Sequence, residues 1–186
     1  MLKKRLIPKL LLKFKGEKKI PILVNSYKYL HYKIIGDPIS QAKIYEAQSA
    51  DELAILNIDS LDLQNNKFCL DYLKEFSENI FMPLTFGGGV KSVNCFNLLL
   101  NSGADKVSIN RNAVLKPNLI AESVKNFGSQ CVVVSIDFKK VNESFEVFIN
   151  KGKERTNLKL IDWVKKVEDL GAGEIILTDI DRDGTG

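Results

Sequence analysis

Two neighbouring segments of the chain carry small and polar residues that could bind a phosphate group. Gly87, Gly88 and Gly89 follow one apolar segment, and Asn110 follows the next, Lys106–Ile109. Consecutive glycines let backbone N–H groups approach an anion closely, and the Asn110 amide can add a donor. The pattern favours half of a phosphate-binding site, and a glycine-rich turn that only reverses the chain is the alternative.

Strands and helices that alternate along the chain must position these residues. Apolar segments predict six buried strands, at Leu6–Leu12, Glu52–Ile58, Met82–Phe86, Lys106–Ile109, Cys131–Ile136 and Glu174–Thr178. The segments between them predict helices at Ile39–Ser49, Asn65–Asn79, Val93–Ser102, Pro117–Phe127 and Leu158–Leu170. This alternation is typical of parallel βα units, which form either a doubly wound sheet or a barrel.

An internal repeat favours the barrel. Glu52–Asp59 aligns without a gap on Glu174–Asp181, at an offset of 122 residues that spans four βα units. A repeat of four units implies an eight-unit barrel built from two halves. We therefore predict the α/β class and a (β/α)8 TIM barrel of the phosphate-binding half-barrel-repeat type. Residues 1–186 would form one truncated barrel domain with about six of the eight βα units.

Two segments fall outside the alternation. Residues 13–35 are rich in lysine and tyrosine and show no sustained period, so we expect a mobile basic loop. Within it, Tyr27, Tyr29 and Tyr32 predict an adaptable hydrophobic lid. Residues 141–157 predict a hairpin inserted after the fifth strand.

Composition and charge exclude several classes of function. The net charge of +4 over 186 residues is too small to indicate a nucleic-acid partner. Nine lysines and one arginine lie between Lys3 and Lys33 against a single acid, Glu17, and this local field favours an anionic ligand. Because no apolar run approaches the roughly 20 residues of a membrane helix, we expect a cytoplasmic protein without membrane contact.

Histidine and cysteine usage narrows the chemistry further. His31 is the only histidine, which excludes catalytic triads and histidine-rich metal sites. Cys69, Cys95 and Cys131 share no metal-type spacing, so we expect buried thiols in a reducing compartment. No metal and no cofactor are predicted.

Several long motifs together resemble the cyclase subunit of imidazole glycerol phosphate synthase, the HisF family. They are FGGGV at 86–90, DKVSIN at 105–110, FGSQxVVVSID at 127–137, DWVKKVEDLGAGEIILT at 162–178 and IDRDGT at 180–185. The resemblance covers nearly the whole chain except the loop after the first strand. It implies a barrel that receives ammonia from a HisH-like glutaminase, as a heterodimer, and acts on a phosphorylated, nucleotide-like small molecule.

The resemblance also implies roles for individual residues. Asp137, at the end of a predicted strand where barrel active sites lie, matches one of two catalytic aspartates. Lys19 resembles a loop lysine that closes over the substrate. One phosphate site corresponds to Gly88, Gly89, Asn110 and Arg111, and a second to Asp183 and Gly184. The alternatives are a cap for Asp137, a solvated side chain for Lys19 and a salt bridge with Arg182 for Asp183.

Four charged residues stand at the first positions of apolar strands and should converge at one end of a barrel. They are Arg5, Glu52, Lys106 and Glu174. A ring of two cations and two anions carries a desolvation cost that an apolar plug would avoid. All four match the salt-bridged ammonia gate of the family, and Asp105 matches a residue that contacts the glutaminase. A purely stabilising role of this face is the alternative.

Two positions depart from the HisF pattern. Leu11 stands on the first strand where the family has its other catalytic aspartate, and Asn57 stands where aspartate is usual. Leucine cannot transfer a proton, so a mechanism with two carboxylates lacks one of them. The strand Ile7–Leu11 is closer to that of WbuZ-type paralogues, which are associated with acetamidino modification of surface sugars.

We predict a lyase-class, cyclase-type synthase subunit that uses ammonia from a glutaminase and is specialised for amidination of a bacterial surface sugar. A sugar amidotransferase would be a further partner. One alternative is the imidazole glycerol phosphate synthase cyclase of histidine biosynthesis, and another is an inactive truncated remnant. A stand-alone phosphosugar isomerase would need an acid/base pair on the first and fifth strands, and Leu11 argues against it.

Overall fold

Strands and helices alternate along the folded chain, in two compact units. A computed structural model describes residues 4–59, 63 and 66–185. The first unit consists of Met1–Asn25 and Lys33–Val107, and the second of Ser26–Tyr32 and Ser108–Gly186. That residues 1–186 form a single domain stays a prediction.

The described part of residues 4–109 is built on parallel strands. In chain order the elements are β1 (Lys9–Lys15), β2 (Ile20–Tyr27), β3 (His31–Gly36), α1 (Pro38–Ala47), β4 (Leu53–Asn57), α2 (Lys67–Asn79), β5 (Leu84–Gly87), α3 (Val93–Asn101) and β6 (Lys106–Ile109). β1, β4 and β5 run parallel side by side, so Leu10, Ile55 and Phe86 share one register row. All three are buried, as the apolar run of a strand covered on both faces requires.

The helix α2 packs through one face. Its buried residues Cys69, Tyr72, Leu73 and Phe76 recur at three- and four-residue spacing and therefore lie on the same side. The predicted start of this helix at Asn65 lies outside the described residues. The helix α1 begins at Pro38, one residue before the predicted Ile39, and Asp37 caps it by accepting a hydrogen bond from the Ser40 N–H at 2.7 Å.

A β-hairpin occupies the segment predicted as an irregular loop at residues 13–35. β1 and β2 pair antiparallel, with Leu11 opposite Val24 and Lys15 opposite Ile20. The loop prediction was wrong because it relied on an alternation of buried and exposed residues. All six residues of β3 are exposed, so its sequence has no reason to alternate. Backbone pairing stabilises these strands without requiring a buried face.

Residues 110–185 combine two helices, an antiparallel hairpin, a third helix and a last parallel strand. In order the elements are α4 (Arg111–Leu115), α5 (Asn118–Phe127), β7 (Val132–Val141), β8 (Ser144–Ile149), β9 (Glu154–Lys159), α6 (Leu160–Asp169) and β10 (Glu174–Asp179). β10 lies parallel to β7, with Thr178 in register with Asp137. β7, β8 and β9 pair antiparallel in sequence, so the predicted hairpin is present, with residues 150–153 as its turn.

The predicted α/β class is confirmed by the parallel strands of both units. The predicted strand end at Ile136 was wrong, because pairing with β8 extends β7 to Val141. Closure into an eight-stranded barrel and the absence of two βα units stay predictions.

Candidate active site

The Asp137 carboxylate is buried in β7 and accepts hydrogen bonds from two neutral groups. The Tyr29 hydroxyl donates to Oδ1 at 2.8 Å, and the Asn110 amide donates to Oδ2 at 2.9 Å. Asp137 is 7% exposed, and an ionised carboxylate removed from water without such donors would be costly. The structure thus brings together two residues that the sequence predicted separately, Asp137 and Asn110.

The Asn110 side chain is itself fixed by two acceptors. Its Nδ2 donates to the Ser135 carbonyl oxygen at 3.0 Å as well as to Asp137. An amide NH2 group has two hydrogens, so both are used. In this arrangement Asn110 directs its donors at a carboxylate, and its predicted contact with a substrate phosphate stays a prediction.

Tyr29 bridges two neighbouring strands. Its phenol donates to Asp137 on β7 and also hydrogen-bonds Thr178 on β10, the register partner of Asp137. Burial raises the pKa of this phenol well above its usual value, and the charges of Asp137 and Asp183 raise it further. Tyr29 therefore stays protonated at neutral pH and acts as a donor to Asp137.

Asp183 and Gly184 hold the segment that contains Tyr29. The Asp183 carboxylate accepts a hydrogen bond from the Ser26 hydroxyl, and its backbone oxygen accepts one from the Lys28 N–H at 2.9 Å. Gly184 has φ +68°, and a Cβ there would lie 2.0 Å from the Ser26 carbonyl oxygen. Only glycine allows this approach. The phosphate role predicted for both residues stays a prediction.

The salt bridge weighed as an alternative for Asp183 forms at a different residue. Arg182 Nε lies 3.6 Å from Asp179 Oδ2. The Arg182 side chain is largely exposed, so this pair contributes little to stability. The Asp183 carboxylate accepts instead from the Ser26 hydroxyl.

Gly88 and Gly89 both have positive φ, at +113° and +75°. A Cβ at Gly88 would lie 2.1 Å from the Asn57 carbonyl oxygen, so the ends of β4 and β5 approach too closely for any side chain. The chain's own packing accounts for this glycine without a ligand. Anion binding at Gly88 and Gly89 stays a prediction.

In the first unit, Arg5, Glu52 and Lys106 form an ion cluster, which we call the strand-start cluster. Lys106 is the first residue of β6, Glu52 precedes β4, and Arg5 lies in the segment before β1. Lys106 Nζ lies 2.7 Å from Glu52 Oε2, and Arg5 pairs with Oε1 of the same carboxylate. Glu52 is 7% exposed, so two cations compensate one buried charge. Glu174 is the first residue of β10 in the second unit, and its place in the predicted ring of four stays a prediction.

Asp105 ties the start of β6 to β5. Its Oδ2 accepts a hydrogen bond from the Leu84 N–H at 2.8 Å, and its own N–H donates to the Leu84 carbonyl oxygen at 2.9 Å. This pair of bonds gives Asp105 a structural role that the sequence did not reveal. Asp105 is also exposed. Its predicted contact with a glutaminase stays a prediction.

The remaining predicted residues lie on exposed or partly exposed positions. Lys19 is exposed, with its Nζ 5.7 Å from the centroid of the Phe68 ring, the geometry of a cation–π contact. Arg111 is exposed at the first residue of α4. Leu11 is partly buried in β1, in register with Leu56 of β4.

No group of three or more histidine, cysteine, aspartate or glutamate side chains that could hold a metal ion occurs among the described residues. The three cysteines are free thiols. Cys69 and Cys95 are buried as predicted, whereas Cys131 is partly exposed. Burial raises the pKa of the Cys69 thiol to about 12. None of the helices in the described ranges is long and apolar enough to span a membrane.

Sequence reasoning missed a residue that bonds Asp183, one that bonds Asp137 and one that bonds Tyr29. They are Ser26, Tyr29 and Thr178. Tyr29 was predicted only as part of a hydrophobic lid. A tyrosine in a lysine-rich segment gives no signal of a carboxylate partner more than 100 residues away, and pairing of this kind requires the fold.

Comparison with known proteins defines the class to which this arrangement belongs. A family model described as histidine biosynthesis protein matches residues 18–186. The chain therefore belongs to the histidine biosynthesis protein family, a family of the TIM-barrel type.

Among curated relatives, the chain is similar to proteins named imidazole glycerol phosphate synthase subunit HisF. That of Natranaerobius thermophilus is 45% identical over 184 residues, which cover 99% of this chain and 70% of the relative. That of a Hydrogenobaculum species is 46% identical over all of this chain and 71% of the relative. That of Methanocaldococcus jannaschii is 44% identical over all of this chain and 73% of the relative. These relatives make it a member of a lyase-type enzyme family.

Proposed function

We propose that the chain is an ammonia-using synthase subunit of the HisF type that acts on a phosphorylated, sugar- or nucleotide-like substrate. Family membership supports the reaction class. The buried Asp137 carboxylate carries the proposal, because Tyr29 and Asn110 hold it in a defined orientation. A carboxylate held in this way can accept the proton that ammonia must lose after it attacks the substrate.

The first candidate substrate is the phosphoribulosyl compound that the HisF family converts into an imidazole. The names of the relatives favour it, since they carry the name of that synthase at 44–46% identity. On this reading the gene supports growth of a histidine auxotroph that lacks the cyclase.

Leu11 favours a second candidate, amidination of a bacterial surface sugar together with a sugar amidotransferase. Leu11 lies in β1 with hydrocarbon neighbours, Val24 on β2 and Leu56 on β4. It cannot serve as the second proton-transfer group that imidazole formation uses in the family. On this reading wild-type protein forms imidazole glycerol phosphate slowly, and Leu11→Asp raises that rate about 10²- to 10⁴-fold.

The two candidates are separated by ammonia-dependent turnover of the phosphoribulosyl compound, with ammonium chloride as the nitrogen source. The variants are wild type, Leu11→Asp and the uncharged control Leu11→Asn. Turnover by wild type together with growth of the auxotroph supports the first candidate. Turnover by Leu11→Asp alone supports the second. Lack of turnover by all three folded proteins would contradict both and support the inactive remnant.

We further propose that the strand-start cluster faces a HisH-like glutaminase and admits its ammonia. Two cations around one buried carboxylate are costly in a purely structural plug, which supports a role in passage. Asp105→Asn and Lys106→Met should weaken capture of a HisH-like glutaminase and reduce its activation. Asparagine at 105 retains an oxygen acceptor for the Leu84 N–H, so folding is preserved. Equal capture and activation by all proteins would contradict docking on this face.

For the substrate phosphates we propose, in the second unit, the exposed Arg111 and Gly184 beside Asp183, and, in the first unit, the backbone of Gly88 and Gly89. Arginine binds phosphate through charge-assisted hydrogen bonds, and the loss of one such bond typically weakens binding about 10- to 100-fold. Arg111→Gln should therefore raise KM for a phosphorylated substrate by that factor. An unchanged KM would show that Arg111 does not contact the phosphate.

A further inference from the structure

β3 lies next to β2 in the sheet, and the two strands form a second hairpin, the β2–β3 hairpin. The turn at its tip has a backbone that its residues disfavour. Lys28 and Tyr29 have φ values of +49° and +60°, and the Leu30 N–H donates to the Tyr27 carbonyl oxygen at 2.9 Å. A two-residue turn with both central φ angles positive usually uses asparagine and glycine. A bulky residue in this region is sterically disfavoured, because its Cβ comes too close to the following carbonyl oxygen. Such outliers persist where the surrounding structure holds them, and they concentrate at functional sites.

The phenol of Tyr29 extends from this turn to the Asp137 carboxylate. It reaches between β7 and β10, donates to Asp137 Oδ1 at 2.8 Å and hydrogen-bonds Thr178. Asp137 and Thr178 are register partners on adjacent strands, so the Tyr29 hydroxyl bonds two residues that lie directly beside each other. Its hydrogen and one of its lone pairs are both used, and this determines where the proton points.

The backbone of the tip is tied to the same unit independently of the phenol. The Lys28 N–H donates to the Asp183 carbonyl oxygen at 2.9 Å, and the Ser26 hydroxyl donates to the Asp183 carboxylate. Gly184 leaves room for Ser26, because a Cβ there would lie 2.0 Å from the Ser26 oxygen. These contacts would fix the hairpin even without a hydroxyl on Tyr29. The bond to Asp137 therefore has a purpose other than anchoring.

We propose that Tyr29 is a positioning residue of the Asp137 site: its hydroxyl orients the carboxylate and stabilises the charged form that accepts a proton. The inference rests on the proposed function, in which Asp137 is that acceptor. Asn110 holds the other oxygen at 2.9 Å, so the two donors together restrict rotation of the carboxylate. Hydrogen bonds to the ionised form of a carboxyl group favour that form.

The experiment follows the Asp137 carboxyl carbon by NMR as a function of pH, with the resonance assigned from Asp137→Asn. Among the described residues, the charge of Asp183 acts on the Tyr29 phenol and on Tyr32, whose own pKa is raised by burial and by Asp183. Full-length wild type is compared with Tyr29→Phe, which retains the ring. Tyr27→Phe is the matched control on the same hairpin, half exposed at 48%. Ser26→Ala removes an anchor of the tip without touching Asp137.

Tyr29→Phe is expected to move the inflection of the Asp137 carboxyl to higher pH by about 1–2, since a hydrogen bond to the charged form is lost. Tyr27→Phe should coincide with wild type. Ser26→Ala should lower stability and leave the inflection in place. If Tyr29→Phe titrates like wild type, or if Ser26→Ala produces the same change, the hydroxyl only anchors the hairpin and the proposal is overturned.

Turnover with ammonium chloride then tests the link to function. Tyr29→Phe should lower kcat about 10-fold or more with KM little changed, and the loss should shrink as pH rises through the new inflection. A loss that is the same at every pH would overturn the proposed stabilisation of the charged form. Absence of ammonia-dependent turnover in wild type, with the NMR difference intact, would contradict the proposed function and still support the Tyr29–Asp137 pair.

Discussion

Two buried carboxylates are held in opposite ways in this molecule. In the first unit, Glu52 is bonded by the cations of Lys106 and Arg5. In the second unit, Asp137 is bonded by a neutral phenol and a neutral amide. Both residues are 7% exposed, so the difference lies in the partners and not in the degree of burial.

The partners determine what each carboxylate can do. Two cations and one anion leave the strand-start cluster with a net positive charge, and its ion pairs hold three strand beginnings in place. Neutral donors orient Asp137 and stabilise its negative charge without cancelling it. A carboxylate of the first kind suits a structural or gating role, and one of the second kind suits proton transfer.

The largest effect is expected from removing the charge of Asp137. Asp137→Asn retains an oxygen that can accept from Tyr29, so the fold should be preserved. Ammonia-dependent turnover should fall about 10²- to 10⁴-fold, the usual effect of losing a positioned acid or base. Asp162→Asn, at an exposed position of α6, is the control. Turnover within a factor of two of wild type would show that the two carboxylates do not differ in function.

The next largest effect is expected on stability, from Glu52→Gln. The substitution leaves the charges of Lys106 and Arg5 together without their counter-ion, and breaking a buried ion pair from one side costs about 3 kcal/mol or more. The free energy of unfolding in urea should therefore fall by about 3 kcal/mol. This value is near the low end of the range for buried ion pairs, because Arg5 is partly exposed. Glu122→Gln, exposed on α5, should stay within about 0.5 kcal/mol of wild type. Equal stability of the two variants would show that the strand-start cluster does not stabilise the fold.

Two glycines with nearly the same backbone test how the hairpin tip is held. Gly184 and Gly16 have φ of +68° and +70°, but a Cβ at Gly16 would meet nothing within 4 Å. Both alanine variants carry the cost of a left-handed residue, about 1 kcal/mol. Gly184→Ala also displaces Ser26 and should lose about 1–3 kcal/mol more. It should change the Asp137 carboxyl resonance, whereas Gly16→Ala should not. Equal losses of stability in the two variants would mean that the hairpin tip tolerates displacement of Ser26.

The smallest effect concerns alkaline pH. The pKa of Tyr29 is raised in the folded protein by burial and by Asp137, so its phenol stays protonated while that of the unfolded chain ionises. This contribution to stability is complete below pH 10 and is lost as pH rises above it, at about 1.4 kcal/mol per pH unit. The unfolding free energy of wild type should fall more steeply above pH 10 than that of Tyr29→Phe. Parallel curves would show that the phenol ionises as readily in the folded protein as in the unfolded chain.

Several parts of the site could be predicted from sequence because each depends on neighbours along the chain. The strand before Asp137, the glycines at 87–89 and the cap at Asp37 all follow from local composition. The Glu52–Lys106 pair followed from the shared position of both residues at strand starts. The hairpin of β2 and β3 was missed because its exposed strand carries no alternation of polarity.

The sequence by itself determined the α/β class and the candidate residues Asp137, Asn110 and Glu52, because periodicity and strand boundaries are written in residues near one another. Only the tertiary structure decided which groups meet these carboxylates. Tyr29 and Asp137 are 108 positions apart and meet only through a turn with positive φ and two strands in register. A hydrogen bond depends on distances of a few ångströms, and these arise from packing that no local pattern records.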